Sequence, residues 1–462
     1  MSAARHLRRT VFLAFLTVVV SCNGSNPGTT TATTSSSTTV TPSSSPPVTD
    51  SGEDSPLDTR LDWLADAFTA GEISESDYQA AFTADFIQAV TYEEFVAVLA
   101  QLGAAQEWSV GEFENRDGLS GTALLLSDSG ESLRAIMTLE TVAPYRIAGL
   151  LVQPGEPPTL DEPPADFGEA AARLDELGEL ELAVMEVKEG ECVPVFEFGD
   201  GEPMPVGSAI KLYVLGAVAD ESTRGDLPWD SEIPITDEHR SIPTGVLQDE
   251  EVGATFTLRE MAETMIAFSD NTATDHLIAL VGRDRVEDAL ADYGMENPSL
   301  NVPFMDTMEL SALKIGPAAG LATQWLEADE AGRRQILAQL SDIRPSDLPV
   351  AEFTEPVSPD RIEWFATPAD MCRALARLYD QGEPLTQILT INPGLPDEEG
   401  DFAAIAFKGG SEPGLVAMNW LVELPDGRRF VISGSVVNPE ENFDQLEATL
   451  LFGAVRDLVA DQ

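Results

Sequence analysis

The sequence predicts two folded domains behind an exported N-terminal segment, an α+β domain followed by a larger domain that mixes helices and strands. Apolar residues recur at helical spacing up to residue 102, and strand-like stretches follow between residues 108 and 152. A proline-rich acidic segment at residues 154–166 then interrupts the chain, because it can continue neither a helix nor a central strand. A length of 462 residues also favours more than one hydrophobic core.

The N-terminus is typical of a signal peptide, residues 1–21, in which arginines precede an apolar run at residues 11–20. Val19-Val20-Ser21-Cys22 resembles the lipobox of bacterial lipoproteins, which implies cleavage before Cys22 and its acylation. Arg8-Arg9 leaves a twin-arginine export signal open as an alternative. Residues 22–56, rich in Ser, Thr and Pro, are predicted to be a tether that lacks the apolar residues needed to fold. We therefore expect a protein anchored by lipid to the outer face of the bacterial cytoplasmic membrane.

The composition is strongly acidic, with 80 Asp and Glu against 26 Lys and Arg and a net charge of −54. This charge excludes nucleic acid as a partner, and we expect a monomer bound to the bilayer only through Cys22. With Cys22 assigned to lipid, Cys192 and Cys372 remain far apart in sequence, and free thiols are favoured over a disulfide between them.

The first domain, residues 57–153, is predicted to contain two or three helices and then a meander of four antiparallel strands. This order is similar to the cone-shaped fold of steroid isomerases and nuclear transport factors. Two interpretations stay open for this domain: a ligand pocket inside the cone, or a docking module with a filled core.

The second domain contains Ser208-Ala209-Ile210-Lys211 at the start of a predicted helix. Residues three apart lie on the same helix face, so the Lys211 amine can reach the Ser208 hydroxyl and activate it as a nucleophile. Lysine occurs only at positions 188, 211, 314 and 408, and arginine supplies the other basic residues. In a chain with so few lysines, a lysine at a motif position indicates a catalytic role, because lysine can release its proton and arginine effectively cannot.

Two further motifs follow in order: Ser269-Asp270-Asn271, and Lys408-Gly409-Gly410-Ser411 after a predicted strand. With S-x-x-K, they resemble the S-x-x-K, S-D-N and K-T-G motifs of class A β-lactamases and penicillin-binding proteins. The resemblance covers residues 167–462 and includes the 366–371 segment, Ala-Thr-Pro-Ala-Asp-Met. The two-domain lipoprotein layout resembles the β-lactamase-like proteins of clavulanic acid gene clusters.

The resemblance implies an antiparallel sheet flanked by helices, with an all-helical subdomain. It also implies roles: Ser208 as nucleophile, Lys211 as base and Ser269 as proton shuttle. Asn271 would hold the substrate amide, and Lys408 with Ser411 its carboxylate. The backbone N–H groups of Ser208 and Ser411, on either side of Gly410, would form the oxyanion hole.

Two departures from the family pattern matter for turnover. Gly409 replaces the usual hydroxyl residue of the third motif, which puts the substrate preference in doubt. The nearest match to the deacylating E-x-x-L-N segment begins at Glu296 but is one residue too long, so a surface loop is the favoured interpretation there. A surplus at residues 307–348 is predicted to be helical and to form a lid over the site.

Other mechanisms fit less well. His239 and His276 lack the setting of a triad base and are predicted to be solvated surface residues, and no Cys/His cluster has zinc spacing. The sequence thus predicts a cofactor-free serine hydrolase that forms an acyl-enzyme with a β-lactam or a related ester or amide and deacylates slowly. A cell-wall or cephalosporin esterase or peptidase, and a non-hydrolysing β-lactam sensor, are the alternatives.

Overall fold

The computed structural model describes residues 55–102, 108–116, 119–127, 132–155, 159–160, 162–350, 353–397, 400–460 and 462. The predicted signal peptide, the acylation site Cys22 and almost all of the predicted tether lie outside these residues, as does part of the predicted hinge at 154–166. The chain divides into two compact units, Met1–Thr159 and Leu160–Gln462. Within the described residues, no helix has the length and apolar character needed to cross a membrane.

The described residues of the first unit contain four helices followed by four strands, which agrees with the predicted α+β order but adds at least one helix to the two or three predicted. The helices are α1 (Pro56–Ala70), α2 (Glu75–Ala81), α3 (Ala84–Ala89) and α4 (Tyr92–Leu102). The strands are β1 (Trp108–Arg116), β2 (Ser120–Ser127), β3 (Ser132–Leu139) and β4 (Ile147–Pro154). They form one antiparallel sheet in the order β1-β2-β3-β4, so the predicted meander is confirmed.

Local sequence explains how the first helix begins and ends. The Ser55 hydroxyl accepts a hydrogen bond from the Asp58 N–H, the Asp58 carboxylate accepts one from the Ser55 N–H, and Pro56 occupies the first turn. Gly71 ends the helix at a φ of 67°, a left-handed conformation that glycine adopts without steric cost.

The core of the first unit is rich in aromatic rings. Phe82 lies against Phe86 and Phe95, with ring centroids 4.3 and 5.0 Å apart, and Tyr78 contacts the same cluster. All four side chains are buried. These rings fill the space between α2, α3 and α4.

The second unit is built on a six-stranded antiparallel sheet. Its path runs β11-β13-β14-β5-β6, and β12 pairs with β13. The strands of this unit are β5 (Glu179–Lys188), β6 (Glu191–Phe198), β7 (Met204–Pro205), β8 (Glu232–Pro234), β9 (Thr255–Thr257), β10 (Phe365–Ala366), β11 (Ala404–Phe407), β12 (Gly410–Glu412), β13 (Leu415–Glu423) and β14 (Arg429–Val437). The sheet joins early and late parts of the domain, because β14 pairs with β5. It also places β13 and β14 inside the sheet rather than at an edge.

Helices cover both faces of this sheet. The helices of the second unit are α5 (Phe167–Asp175), α6 (Lys211–Arg224), α7 (Leu258–Ala267), α8 (Asn271–Val281), α9 (Arg283–Asp292), α10 (Thr307–Lys314), α11 (Ala322–Glu327), α12 (Glu330–Leu340), α13 (Pro368–Asp380), α14 (Leu385–Leu389) and α15 (Gln445–Asp457). One hydrophobic cluster joins α5 and α15 to the sheet, and a larger one joins it to α6, α13 and the helices between them. The predicted antiparallel sheet flanked by helices, with a helical subdomain, is therefore confirmed.

Cys192 of β6 and Cys372 of α13 form a disulfide, with Cα atoms 6.3 Å apart. The sequence favoured free thiols because 180 residues separate the two cysteines, and that prediction was wrong. Sequence separation does not decide the pairing, since the fold packs α13 across β5 and β6 and brings the two side chains together.

We predict that the Cys192→Ala/Cys372→Ala variant unfolds with a free energy about 2–5 kcal/mol lower than wild type, because a long cross-linked loop restricts the unfolded chain. Denaturant titration measures this difference. As a separate check, alkylation of the unfolded, non-reduced protein followed by peptide mapping should leave both cysteines unmodified. Alkylation of either one would contradict the disulfide.

Candidate functional site

Ser208 lies in a single 3₁₀ turn, Gly207–Ile210, that leads directly into α6. A backbone hydrogen bond fixes the residue before the turn: the Val206 N–H donates to the Trp364 carbonyl at 2.9 Å. Gly207 has a φ of 50°, which most side chains avoid. Ser208 itself is half-buried, so this turn presents a serine that a substrate can reach.

Lys211, one turn further on, is fully buried at 0% exposure. Its Nζ donates to Asn271 Oδ1 at 2.7 Å, and lies 2.5 Å from the Ser269 carbonyl and 3.3 Å from Ser269 Oγ. Burial lowers the pKa of Lys211 to about 7, while the negative charges of Asp270 and Asp275 act in the opposite direction. A lysine with such a pKa is neutral in a substantial fraction of molecules near neutral pH, and its amine can then accept a proton.

The second motif is fixed by local backbone geometry at the start of α8. Asp270 caps this helix by accepting from the Ala273 N–H at 2.7 Å, and also accepts from the backbone of Val246 and Leu247. Ser269, just before it, has a φ of 55°, a left-handed conformation that costs a non-glycine residue about 1–3 kcal/mol. The strained backbone turns the Ser269 hydroxyl towards the two lysines of the site.

Lys408 follows β11 and is 3% exposed. Its Nζ donates to Ser269 Oγ at 2.9 Å and to the Gly409 carbonyl at 2.8 Å. Burial, followed by the neighbouring charge of Lys211, lowers the pKa of Lys408 well below its usual value. Ser269 Oγ therefore lies between two amines, an arrangement in which protons can pass through the hydroxyl.

The two glycines of the third motif are required by close contacts. A Cβ on Gly410 would lie 2.3 Å from the Val206 carbonyl oxygen and 2.4 Å from the Ser208 nitrogen. A Cβ on Gly409 would lie 2.8 Å from the Phe407 ring and 3.2 Å from the Ala417 carbonyl oxygen. A hydroxyl residue at this position would therefore require the Phe407 ring to move aside. Ser411, the next residue, is exposed.

The structure thus brings the six expected site residues of the three motifs, and Gly410, into one region. Hydrogen bonds join Lys211, Ser269, Asn271 and Lys408 directly. Ser208 and Ser411 join this group through the backbone, because Gly410 lies against the nucleophile turn. Cys22 lies outside the described residues.

Several supporting residues were not found from sequence. Asn419 holds Lys408 from the neighbouring strand: its carbonyl accepts from the Lys408 N–H at 3.0 Å, and its Nδ2 donates to the Lys408 carbonyl at 3.2 Å. Ser433 in turn donates to Asn419 Oδ1 at 2.7 Å. The sequence signal was a single asparagine in the otherwise apolar β13, Leu415–Glu423. A second missed group surrounds Lys314, and the scarcity of lysine could have revealed it.

His276 contradicts the expectation of a solvated surface residue. It is 3% exposed, and its Nδ1 lies 2.7 Å from the Thr272 carbonyl oxygen while its Nε2 accepts from the Thr236 N–H at 2.9 Å. Burial lowers the pKa of His276, and these partners fit the neutral Nδ1–H tautomer. The ring connects α8 to the loop that follows β8, because its Nε2 accepts from the Thr236 N–H of that loop. His239 lies beside it, with ring centroids 5.5 Å apart.

The candidate deacylation segment does not resemble a catalytic one. Glu296 is exposed, and its backbone N–H donates to Asp370 Oδ1 at 2.8 Å. Asn301 at the other end of the segment is buried and hydrogen-bonds the backbone N–H and carbonyl of Phe365, at 2.8 Å each. The segment is therefore anchored at Asn301 while the Glu296 carboxylate faces solvent.

The surplus at residues 307–348 forms α10, α11 and α12. Leu313 of α10, Trp325 of α11 and Leu337 of α12 are buried in the same hydrophobic cluster as α6 and α8. The expectation of a lid was therefore wrong for this segment: its apolar side chains are part of the main core, and it forms a fixed wall. Among the described residues, no group of three or more His, Cys, Asp or Glu side chains could hold a metal ion.

Comparison with known proteins gives two family matches. The sequence model of the beta-lactamase enzyme family matches residues 170–461, a range that contains all three motifs. The model of the N-terminal part of the ORF 12 gene product matches residues 53–141. No curated protein matches the chain.

Several solved structures are similar to the chain at low identity. A β-lactamase from Sphaerobacter thermophilus is 20% identical, covers 63% of this chain and 94% of its own, and has a TM-score of 0.44. A β-lactamase from Chitinophaga pinensis is 18% identical, with coverages of 63% and 98% and a TM-score of 0.43. PBP-A is 20% identical, with coverages of 64% and 97% and a TM-score of 0.38.

We predict that Gly410→Ala lowers the melting temperature and displaces the nucleophile turn, because the added methyl group overlaps backbone atoms that cannot move aside. Overpacking of this kind typically costs about 1–3 kcal/mol. Thermal unfolding measures the change. Gly320→Ala is the matched control, because its Cβ would meet nothing within 4 Å. Equal melting temperatures for the two variants would contradict the contact.

Proposed function

The chain belongs to the beta-lactamase enzyme family, and from that premise we propose that it is a serine hydrolase that forms a slowly released acyl-enzyme on Ser208. The substrates are β-lactams or related esters. The observation that carries the proposal is the hydrogen-bonded network in which Ser269 joins the buried amines of Lys211 and Lys408, beside a half-buried serine.

In the acylation step, Ser208 Oγ attacks the carbonyl carbon and transfers its proton to the neutral Lys211 amine. The backbone N–H groups of Ser208 and Ser411 stabilise the oxyanion, and the contact of Gly410 with the nucleophile turn supports this assignment. As the C–N bond of a β-lactam breaks, Ser269 gives its hydroxyl proton to the leaving nitrogen and is reprotonated by a lysine. Asn271 positions the substrate amide and Lys211.

Slow deacylation follows from the arrangement of the nearby carboxylates. A base that aligns water typically contributes about 10²- to 10⁴-fold to hydrolysis. Glu296 is exposed, Asp270 caps α8, and Asp275 accepts from the Thr307 N–H at 2.8 Å and the Met308 N–H at 3.1 Å. Asp270 and Asp275 are held by these backbone hydrogen bonds and the Glu296 carboxylate faces solvent, so we expect none of the three to align water and the acyl-enzyme to persist.

One observation favours simple esters as a second candidate substrate class. Lys408 is the residue expected to bind a substrate carboxylate, yet its amine is buried and already donates to Ser269 and to the Gly409 carbonyl. Gly409 adds no hydroxyl to this site. An ester without a carboxylate needs neither the Lys408 amine nor a hydroxyl at position 409 for binding. The carboxylate of a penicillin, in contrast, lacks the contact that such a hydroxyl would provide.

We also propose, from the sequence alone, that the protein is exported and anchored through acylated Cys22. A lipid chain supplies the membrane affinity that so acidic a surface lacks.

We predict that a chromogenic cephalosporin forms an adduct on Ser208 at a rate that rises about tenfold per pH unit below pH 7 and levels off above it. The sign follows from Lys211: burial lowers its pKa to about 7, and the neutral amine, which is the base, predominates above that pH. Intact-mass spectrometry over pH 5–9 measures adduct formation, and absorbance measures turnover.

Ser208→Ala is the control and should form no adduct at any pH, while Lys211→Ala should slow acylation strongly and remove the pH dependence. A parallel assay with a p-nitrophenyl ester compares the two substrate classes. Rapid penicillin turnover without a detectable adduct, stopped by Glu296→Gln, would show an efficient β-lactamase and contradict slow deacylation.

For the anchor, we predict that Cys22→Ala moves the exported protein from the membrane fraction to the medium. Immunoblotting of the two fractions measures the distribution, and mass spectrometry of the N-terminal peptide detects the lipid. An unlipidated wild-type protein found in the medium would refute the anchor.

A further inference from the structure

Lys314, at the end of α10, is a third buried lysine that the proposed chemistry does not use. It is 4% exposed, and its Nζ contacts two carboxylates, Glu363 Oε1 at 3.4 Å and Glu412 Oε1 more closely. The side chains of Lys314 and Glu363 are each 2% exposed, and that of Glu412 is 9% exposed. One cation therefore joins two carboxylates away from solvent, and we call these three residues the Lys314 cluster.

Glu363 connects the Lys314 cluster to the back of the nucleophile turn. Its second oxygen, Oε2, accepts from the Trp364 N–H at 2.8 Å. The Trp364 carbonyl in turn accepts from the Val206 N–H, two residues before Ser208. The next two residues form β10, which pairs with β7 immediately before the turn. Movement of Glu363 would therefore reach Val206 through one residue, Trp364, and from there the Ser208 backbone two residues on.

Glu412 connects the Lys314 cluster to the opposite side of the same turn. It is the last residue of β12, Gly410–Glu412, whose first residue lies against the Ser208 nitrogen. Its carbonyl accepts from Gln445 of α15. Because β12 is only three residues long, the position of Glu412 determines where Gly410 and Ser411 lie.

The charges explain why these contacts hold the two segments. Burial raises the pKa of both Glu363 and Glu412, that of Glu412 to about 7, and Lys314 opposes this rise. Without Lys314, two carboxylates would face each other in a site of low polarity, and they would separate or take up protons. A buried ion cluster contributes little to the stability of a fold compared with apolar packing. The presence of the Lys314 cluster is therefore better explained by the positions that it imposes on the two segments it joins.

We propose that Lys314 is a positioning residue for acyl transfer, which holds β12 and the 363–366 segment at fixed positions on either side of the nucleophile turn. Through these segments it sets the directions of the Ser208 and Ser411 N–H groups. The inference rests on the proposed function for its kinetic consequence, but the structural coupling does not depend on that function. It also gives the surplus α10 a role, since this helix carries the cation.

The test compares Lys314→Met with wild type in the full-length protein. We expect the rate constant of adduct formation at saturating cephalosporin to fall about 10- to 100-fold per folded molecule, because small displacements of catalytic groups have effects of this size. The concentration that gives half the maximal rate should change little, because Lys314 does not touch the substrate. Hydrogen–deuterium exchange should become faster both in β12 and at residues 204–210.

Lys188→Met is the matched control. Lys188 is also a lysine paired with a glutamate, 2.5 Å from Glu186, but its side chain is 56% exposed. This variant should acylate and exchange like wild type. The triple variant Lys314→Met/Glu363→Gln/Glu412→Gln controls for destabilisation by unpaired buried carboxylates, because it removes all three charges and keeps similar side-chain volumes. We expect it to recover the melting temperature while remaining slow in acylation.

The outcomes separate the two hypotheses. Acylation of folded Lys314→Met and of the triple variant within twofold of wild type would overturn the positioning role, as would unchanged exchange in β12 and residues 204–210. Failure of the wild type to form any adduct would refute the proposed function, and the exchange result would still decide whether Lys314 holds the turn.

Discussion

The amine of Lys211 is fully buried, so every hydrogen bond it makes must come from inside the protein. Its partners are Ser269 and Asn271, which the left-handed conformation of Ser269 and the cap of α8 hold in place. Removal from water is also what lowers the lysine pKa to about 7. One desolvated amine thus joins the nucleophile helix to the second motif and supplies the base that acylation needs.

Close backbone packing completes the site on its other side. Gly410 lies so near Val206 and Ser208 that no side chain fits between the third motif and the nucleophile turn. The resulting contact sets the two backbone donors proposed for the oxyanion. The Lys314 cluster contacts β12, which carries Ser411, and the 363–366 segment behind the turn that carries Ser208. On this side of the site the backbone segments therefore touch directly.

The scarcity of lysine has a structural counterpart in this acidic chain. Lys211, Lys314 and Lys408 are each no more than 4% exposed, whereas the fourth lysine, Lys188, is exposed. The two lysines of the catalytic motifs lie beside a shared serine, where burial lowers the pKa of both amines and the charge of Lys211 lowers that of Lys408 further. Lys314 instead lies between two carboxylates and holds them together. Placement among neighbours thus gives the same side chain two different tasks.

The sequence by itself determined the order of helices and strands and the three motifs. Periodicity reports which face of an element is buried, and spacing within one helix turn places Lys211 near Ser208, because both are local properties. That Ser269 and Lys408 would join them in one site was implied by the resemblance of the three motifs to those of class A β-lactamases. The sequence failed for the Cys192–Cys372 disulfide, the buried His276, the lid and the Lys314 cluster. Only the tertiary structure decided these, because each depends on contacts between segments far apart in the chain, and burial of a polar residue is set by the elements that pack over it.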